Sequence, residues 1–223
     1  MGFFTDAFEN MNPEQKESFY QTIFMQDASE YAAQLRVEYY RTQLRAAGKN
    51  LKIGRGVKIV NPQYISLGDD VTIGDNVTLI ARGPGGITTG NQVRLQDRVY
   101  LDTETVNDGY ITIGNMVYIG TGTTLFGHVG LEIGDNSLLA QNITLTPYSH
   151  IFDKPDDIIW NQGGHMQKVT IGQDCYIGMG VCIMYSGSIG DGSVVGAGST
   201  VVKPIPPYSV AVGTPAKVIK QRV

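Results

Sequence analysis

The chain has 223 residues, 42% of them apolar and 17% charged, with a formal net charge of −4. That length supports a sizeable core in one domain or in one domain with an appendage, and the charge balance argues against disorder and against a nucleic-acid binder, which would carry a basic excess. The 28 glycines, without collagen periodicity, predict a fold of tight, repeated corners.

The N-terminal MGFFTDAFENMNPEQ is aromatic but carries acids early and lacks both a basic region and a long apolar run. It does not read as a signal peptide, no segment reads as a bilayer span, and the expected compartment is the cytoplasm. A helix is predicted from Asn12 as N-cap and Pro13 at the first helical position, with Phe19/Ile23 and Tyr20/Phe24 each four apart on one face. A second is predicted from DASE, with Asp27 and Glu30 as a capping box, Tyr31, Leu35 and Tyr39 on one face, and Gly48 as its stop. Residues 1–50 are thus a helical segment placed to cap the remainder of the chain.

From residue 51 a six-residue beat takes over. Ile171, Ile177, Ile183, Ile189, Val195 and Val201 are spaced by six throughout, and Gly172, Gly178, Gly190 and Gly196 follow four of them directly. This is neither helical periodicity nor simple alternation. It fits short parallel strands joined by corners, three strands closing an eighteen-residue coil with aliphatic columns inside. The sets upstream are Leu67/Ile73/Leu79, Thr89/Leu95/Leu101, Ile113/Ile119/Leu125 and Ile133/Leu139/Leu145, with Ile53 and Ile59 as an incomplete starting coil. Spacing within each set is six. Between successive sets from Leu79 onward it is ten, twelve, eight, twenty-six and six. Every insertion, RGPGG and TETVNDGY included, therefore falls at one corner of the prism. The largest, about residues 146–170, begins at TLTPYSH. Loops on a rigid scaffold are where function collects, although insertions also gather wherever packing tolerates them.

After the last coil, VVKPIPPYSVAVGTPAKVIKQRV is proline-rich and basic, with Lys203, Lys217, Lys220 and Arg222 clustered in an acidic chain. An isolated run of this kind would be a solvated tail; here it directly follows a coil end. Cys175 and Cys182 are too far apart for a CxxC pair and read as small apolar fillers, with no disulfide framework and no metal site implied.

IGDNSLLAQNITLTPYSH, VTIGQDCYIGMGVCI, IGDGSVVGAGSTVV and IPPYSVAVGTPAKVIK together resemble the hexapeptide-repeat acyltransferases, in particular the galactoside- and maltose-type and polysaccharide O-acetyltransferases. The resemblance covers roughly residues 50 to 222. It implies a left-handed parallel β-helix over residues 51–223, assembled as a homotrimer, with acetyl-CoA as acyl donor in a groove between neighbours and a loop histidine as general base. His150 matches that histidine. Met179 matches a backbone N–H near the thioester and Ala197 a backbone contact to the pantetheine arm. Val202 and Lys203 match a pair near the nucleotide end, and Lys217 and Lys220 match basic positions there. The usual pair is Thr-Lys, so Val202 removes a side-chain hydroxyl. Tyr176 stands where relatives often carry Trp, and His128 falls near an acceptor-contacting acid; both are candidate substrate-binding residues. The role of His165 is open, and Asp153, Asp156 and Asp157 are candidates either to orient an imidazole or to bind sugar hydroxyls.

The implied chemistry is acetyl transfer to a hydroxyl of a sugar or glycan by direct attack on the thioester. A neutral imidazole, with a reference pKa of about 6.5, suits proton removal near neutrality. Backbone N–H groups suit the oxyanion, Met179 N–H being the candidate. Three alternatives stand beside it: N-acetylation of an amino sugar or other amine, a non-catalytic trimeric scaffold, and a zinc carbonic anhydrase-like protein built on three imidazoles.

Overall fold

The computed structural model describes residues 9–104 and 109–222; among side chains, those of residues 20, 21 and 23–26 are not described. The Phe19/Ile23 and Tyr20/Phe24 pairs and residues 105–108 of the TETVNDGY insertion thus lie outside the described residues.

The six-residue beat builds a parallel β-helix with three faces. The first face stacks Ala46–Ala47, Ile65–Leu67, Gly86–Thr89, Tyr110–Ile113, Leu131–Ile133 and Val169–Ile171. The second stacks Lys52–Ile53, Thr72–Ile73, Arg94–Leu95, Tyr118–Ile119, Leu138–Leu139, Tyr176–Ile177, Val194–Val195 and Ser209–Val212. The third stacks Lys58–Val60, Thr78–Ile80, Tyr100–Asp102, Thr124–Phe126, Thr144–Leu145, Cys182–Ile183 and Thr200–Val201. Register pairs like residues of neighbouring coils: Ile119 with Leu139, Leu125 with Leu145, and Ile133 with Ile171. Each expected aliphatic column is therefore continuous and buried; Leu101, Ile119, Leu125, Leu139 and Ile183 are fully inaccessible. The starting coil is completed by Ala47, which pairs with Leu67.

Two of the three corners are uniform. Asn50, Asp70, Gln92, Met116, Asn136, Asp174, Gly192 and Tyr208 all have positive φ, and each stands three residues before the inward residue of the second face. Gly56, Asn76, Arg98, Gly122, Asn142, Gly180 and Gly198 repeat this before the third face. A single left-handed residue turns the chain sharply enough to start the next strand. Between the third face and the first no such column exists, and there the insertions leave the stack, as the spacing predicts.

The glycines that follow the inward aliphatics have a different cause. A Cβ on Gly120 would lie 2.5 Å from the Ala140 carbonyl carbon, and one on Gly178 2.5 Å from Ala197 N. The acid or amide after many of these glycines also works for the stack. Asp69 Oδ1 accepts from Lys49 N at 2.7 Å, Asn91 Oδ1 from Asp69 N at 2.8 Å, Asn115 Oδ1 from Asn91 N at 2.9 Å and Asp135 Oδ1 from Asn115 N at 2.7 Å. These groups cap backbone donors at a corner.

Among the described residues, the helices α1 (Pro13–Gln26) and α2 (Glu30–Arg41) precede the coil. Asn12 caps α1 as expected: its Oδ1 accepts from Gln15 N, while Gln15 Oε1 accepts from Asn12 N. For α2 the expectation needs three corrections. The N-cap is Ser29, whose Oγ accepts from Ala32 N at 3.2 Å, while Asp27 Oδ1 accepts from Ser29 N. The helix ends at Thr42 rather than Gly48, which belongs to the first coil corner. The buried face is Ala32, Arg36 and Tyr40, leaving Tyr31 68% exposed. The open end of the stack explains the last difference. Arg36 Nε donates to Ile53 O and the Tyr40 hydroxyl to Val57 O, both at 3.0 Å. An end coil has carbonyls with no next coil to receive them, so the helix that covers it turns polar-tipped side chains inward. Burial, with a smaller push from Tyr39 and Glu17, raises the Tyr40 phenol far above its ordinary pKa.

The two kinds of glycine should respond differently to substitution. Gly120→Ala forces a backbone clash and should destabilise the protein by about 1–3 kcal/mol. At Gly180 the φ is +68° and a Cβ would meet nothing within 4 Å, so Gly180→Asn should cost under about 1 kcal/mol. Thermal unfolding of both variants checks the ranking.

Candidate active site

The largest insertion is a hairpin. Tyr148–His150 pairs antiparallel with Gly164–Met166, matching Tyr148 to Met166, Ser149 to His165 and His150 to Gly164. Its outer part holds a short 3-10 turn, Ile159–Gln162. Gln162 ties that turn down: its Oε1 accepts from Lys154 N, and its Nε2 donates to Lys154 O and Asp157 O. Phe152, Ile158, Ile159 and Trp160 are exposed there.

Strand alternation puts Tyr148 and His150 on one face of the hairpin and Ser149 on the other. The Tyr148 hydroxyl lies 3.2 Å from His150 Nδ1, and the two rings meet edge to face with centroids 4.8 Å apart. Tyr148 also stacks on His128, centroids 5.4 Å apart and planes 11° from parallel. His128 continues to Phe126 at 6.1 Å and Phe126 to Tyr100 at 6.0 Å, both edge to face. An aromatic row thus runs along the ridge where the insertions emerge, bringing His128 and His150 together through Tyr148. Burial is the chief cause that holds His128 below its ordinary imidazole pKa, against the opposing pull of Glu104 and Asp102. The ring is therefore neutral near pH 7. On the other hairpin face His165 stacks on Tyr185 at 6.1 Å.

The far end of the row is anchored by a fully buried carboxylate. Arg82 Nε donates to Asp102 Oδ1 at 2.8 Å and Arg82 Nη2 to Oδ2 at 2.7 Å, while the Tyr100 hydroxyl and Glu104 N complete the set. Burial pushes Asp102 upward, but the hydrogen bonds from Arg82, Glu104 N and Tyr100, together with the Arg82 charge, hold it below its ordinary value.

The other expected residues lie elsewhere in the chain. Met179 and Ala197 occupy equivalent positions one coil apart, at the corner between the second and third faces; Gly198 N donates to Met179 O, and both residues are exposed. The basic tail starts at that ridge and crosses the second face. Ala216 N donates to Thr200 O at 2.8 Å, and Lys217–Gln221 pairs antiparallel with Ser209–Val212, setting Lys217 opposite Val212 and Lys220 opposite Val210. The tail reaches the corner before the second face at Arg222, whose Nη1 meets Asp174 Oδ2 at 2.9 Å and Gly192 O at 3.0 Å. Val202 and Lys203 sit at the insertion corner of the last coil, with Val202 O accepting from Ser186 Oγ at 2.7 Å. Tyr176, 47% exposed, lies on the second face between Leu138 and Val194 in the stack, apart from both histidines. His128, His150, Val202 and Lys203 therefore lie on the insertion ridge, Met179 and Ala197 at the next corner across the third face, and Tyr176 and Lys220 on the second face.

Tyr148 is the residue that reading by motif missed. The Tyr-Ser-His spacing was a signal for it, because residues two apart on a strand share a face. Asp153, Asp156 and Asp157 are exposed, and the hydrogen-bond partner the structure gives His150 is Tyr148. Cys175 is buried, and that burial raises its thiol pKa, so it is no nucleophile. Among the described residues no group of His, Cys, Asp and Glu could hold a metal ion, and no helix is long and apolar enough to cross a membrane.

A family model described as the hexapeptide repeat of succinyl-transferase matches residues 110–147 and 168–203, the coils on either side of the hairpin. The chain is 32% identical over 166 residues to a probable acetyltransferase of Mycobacterium tuberculosis, covering 74% of this chain and 54% of that one. It is 40% identical over 113 residues to the galactoside O-acetyltransferase of Escherichia coli, covering 50% of this chain and 54% of that one. The matches thus span about half the length of these relatives. Among solved structures, a mutant of AntD, an N-acyltransferase from Bacillus cereus in complex with dTDP and coenzyme A, superposes with a TM-score of 0.60. Its identity is 26%, covering 83% of this chain and 88% of that one.

Asp102 makes stability pH-dependent in a defined direction. Its folded-state value lies below the ordinary 3.8, so the carboxylate contributes stability above that value, and the contribution is lost as pH falls through the folded-state value. Urea-unfolding midpoints recorded from pH 6 to pH 2 should drop more steeply below about pH 4 for the natural protein than for Asp102→Asn. Parallel curves would show that the buried pair does not set the acid sensitivity.

Proposed function

We propose that this hexapeptide-repeat chain is an acetyl-CoA-dependent O-acetyltransferase that acts on a hydroxyl of a sugar or glycan, with His150 as general base. The observation that carries the reading is the placement of His150: exposed, at the root of the largest insertion, with a hydroxyl partner on Nδ1 and a row of aromatic rings beside it. The acetyltransferase relatives and the acyltransferase fold neighbour support it.

In this reading His150 takes the proton from the acceptor hydroxyl as the oxygen attacks the thioester carbonyl, a contribution of about 10²- to 10⁴-fold. Met179 N–H faces the developing oxyanion, and the backbone at Ala197 follows the pantetheine arm. Lys203, Lys217 and Lys220 neutralise the phosphates of the donor by charge-assisted contacts; Val202 offers its backbone alone. The exposed corner formed by Met179 and Ala197, with Lys217 opposite Val212 at the start of the last strand, fits an extended donor that is anionic at one end. His128 and Tyr176 are assigned to the acceptor, His128 directly beside Tyr148.

His150 and Met179 occupy different ridges of one chain, so the reaction centre needs the base from one subunit and the donor groove from its neighbour. A homotrimer of prisms meets that requirement, with residues 1–50 capping residues 51–223 in each. The exposed Phe152, Ile158, Ile159 and Trp160 are suited to the cleft between subunits. The acceptor then lies between edge loops, a setting for polysaccharide modification in the cytoplasm. One observation favours a second reading, N-acylation of an amino sugar: the fold neighbour with dTDP and coenzyme A is an N-acyltransferase.

His150→Ala should reduce transfer below about 1% of the natural rate while leaving coenzyme A binding, measured by calorimetry, within about twofold; full turnover would reject the base assignment. Lys217→Ala should weaken acetyl-CoA more than an acetylated pantetheine that lacks the nucleotide. Equal losses would remove the phosphate contact. A thiol-release screen over sugars, amino sugars and oligosaccharides separates O- from N-transfer, and silence across the whole screen would favour a scaffold.

A further inference from the structure

We infer that Tyr148 is a positioning residue for His150, holding the imidazole in the tautomer that leaves Nε2 as the proton acceptor. The inference rests on His150 being the base proposed above. With the phenol oxygen 3.2 Å from Nδ1, that nitrogen is occupied, and an acceptor hydroxyl can meet only Nε2. Nε2 accepts a proton only if the ring hydrogen sits on Nδ1. A phenol can accept that hydrogen through its oxygen lone pairs, and it continues to do so when the ring becomes an imidazolium. The proton thus moves from the acceptor hydroxyl to Nε2, while Nδ1–H stays on Tyr148 throughout.

Three features fix the phenol in place. Strand alternation sets Tyr148 and His150 on one face of the hairpin. His128 backs the Tyr148 ring, its plane 11° from parallel, and its lowered pKa keeps that contact uncharged near neutrality. Gly164, opposite His150 in the hairpin, has no Cβ where the ring lies; any side chain there would meet the Tyr148 Cε2, Cζ and hydroxyl oxygen. Residue 164 is small because the ring needs its space, and His128 acts on the base through Tyr148 as well as facing the acceptor.

The test uses the full chain and Tyr148→Phe, which keeps the ring on His128 and removes only the hydroxyl. In ¹⁵N-histidine-labelled protein, the His150 resonances should report a protonated Nδ1 and an unprotonated Nε2 near pH 8. In Tyr148→Phe they should move toward the Nε2–H form that free imidazoles prefer. In turnover, kcat should fall about 5- to 10-fold, the weight of one neutral hydrogen bond, with the KM for acetyl-CoA within about twofold. A natural protein carrying the proton on Nε2 overturns the inference, as does an unchanged kcat or a loss carried by KM. Failure of the underlying reading looks different: His150→Ala would then turn over normally although the Nδ1–H signal is present, and the positioning role would fall with it.

Discussion

Stacked parallel coils impose a constraint on which every other feature of this molecule depends. Each strand finds its hydrogen-bond partner in the coil above and the coil below, so the path around each coil must match its neighbours almost atom for atom. Two corners meet the demand with one left-handed residue each, repeated from Asn50 to Tyr208 and from Gly56 to Gly198. Glycines such as Gly120 and Gly178 then let successive turns approach to backbone contact. No extra residue fits at those corners without breaking the ladder. Surplus chain therefore leaves at the third corner, and His128 and the histidine hairpin are built from it, against Tyr100 and Phe126 of the third face.

The same constraint accounts for most of the polar groups. Asp69, Asn91, Asn115 and Asp135 cap corner donors, Arg36 and Tyr40 cover the carbonyls of the first coil, and Asp102 is enclosed by Arg82, Tyr100 and a backbone N–H. A buried or corner acid in such a stack is in the first place a hydrogen-bond acceptor for the scaffold. Once these are set aside, the insertion ridge keeps two imidazoles joined by a tyrosine, and the next ridge keeps the exposed Met179 and Ala197, with Lys217 opposite Val212 beside it. The candidate residues are thereby held on rigid supports at different places around the coil, with Lys203 on the same ridge as the imidazoles.

Reading by position placed the aliphatic columns, the faces and the insertion corner correctly, because a period of six is imposed locally and repeated by every coil. It placed α1 and its Asn12 cap for the same reason, a local pairing with Gln15. It misjudged α2, where Ala32, Arg36 and Tyr40 face inward in place of Tyr31, Leu35 and Tyr39. The hydrophobic pattern favoured one stripe, and unpaired carbonyls at the end of the stack selected another. Position along the chain does not show that Tyr176 stands on the second face, between Leu138 and Val194 in the stack.

The sequence by itself determined the coil, its three faces, the ridge that carries the insertions and the histidine at the root of the largest one. All of these depend on spacing, which a single chain displays in full. Tertiary structure alone decided which ring backs Tyr148, which helix face closes the stack and where around the coil the candidate residues fall. Those outcomes depend on contacts through space between segments of unequal length, such as His128 against Tyr148 across two coils. No periodicity encodes them.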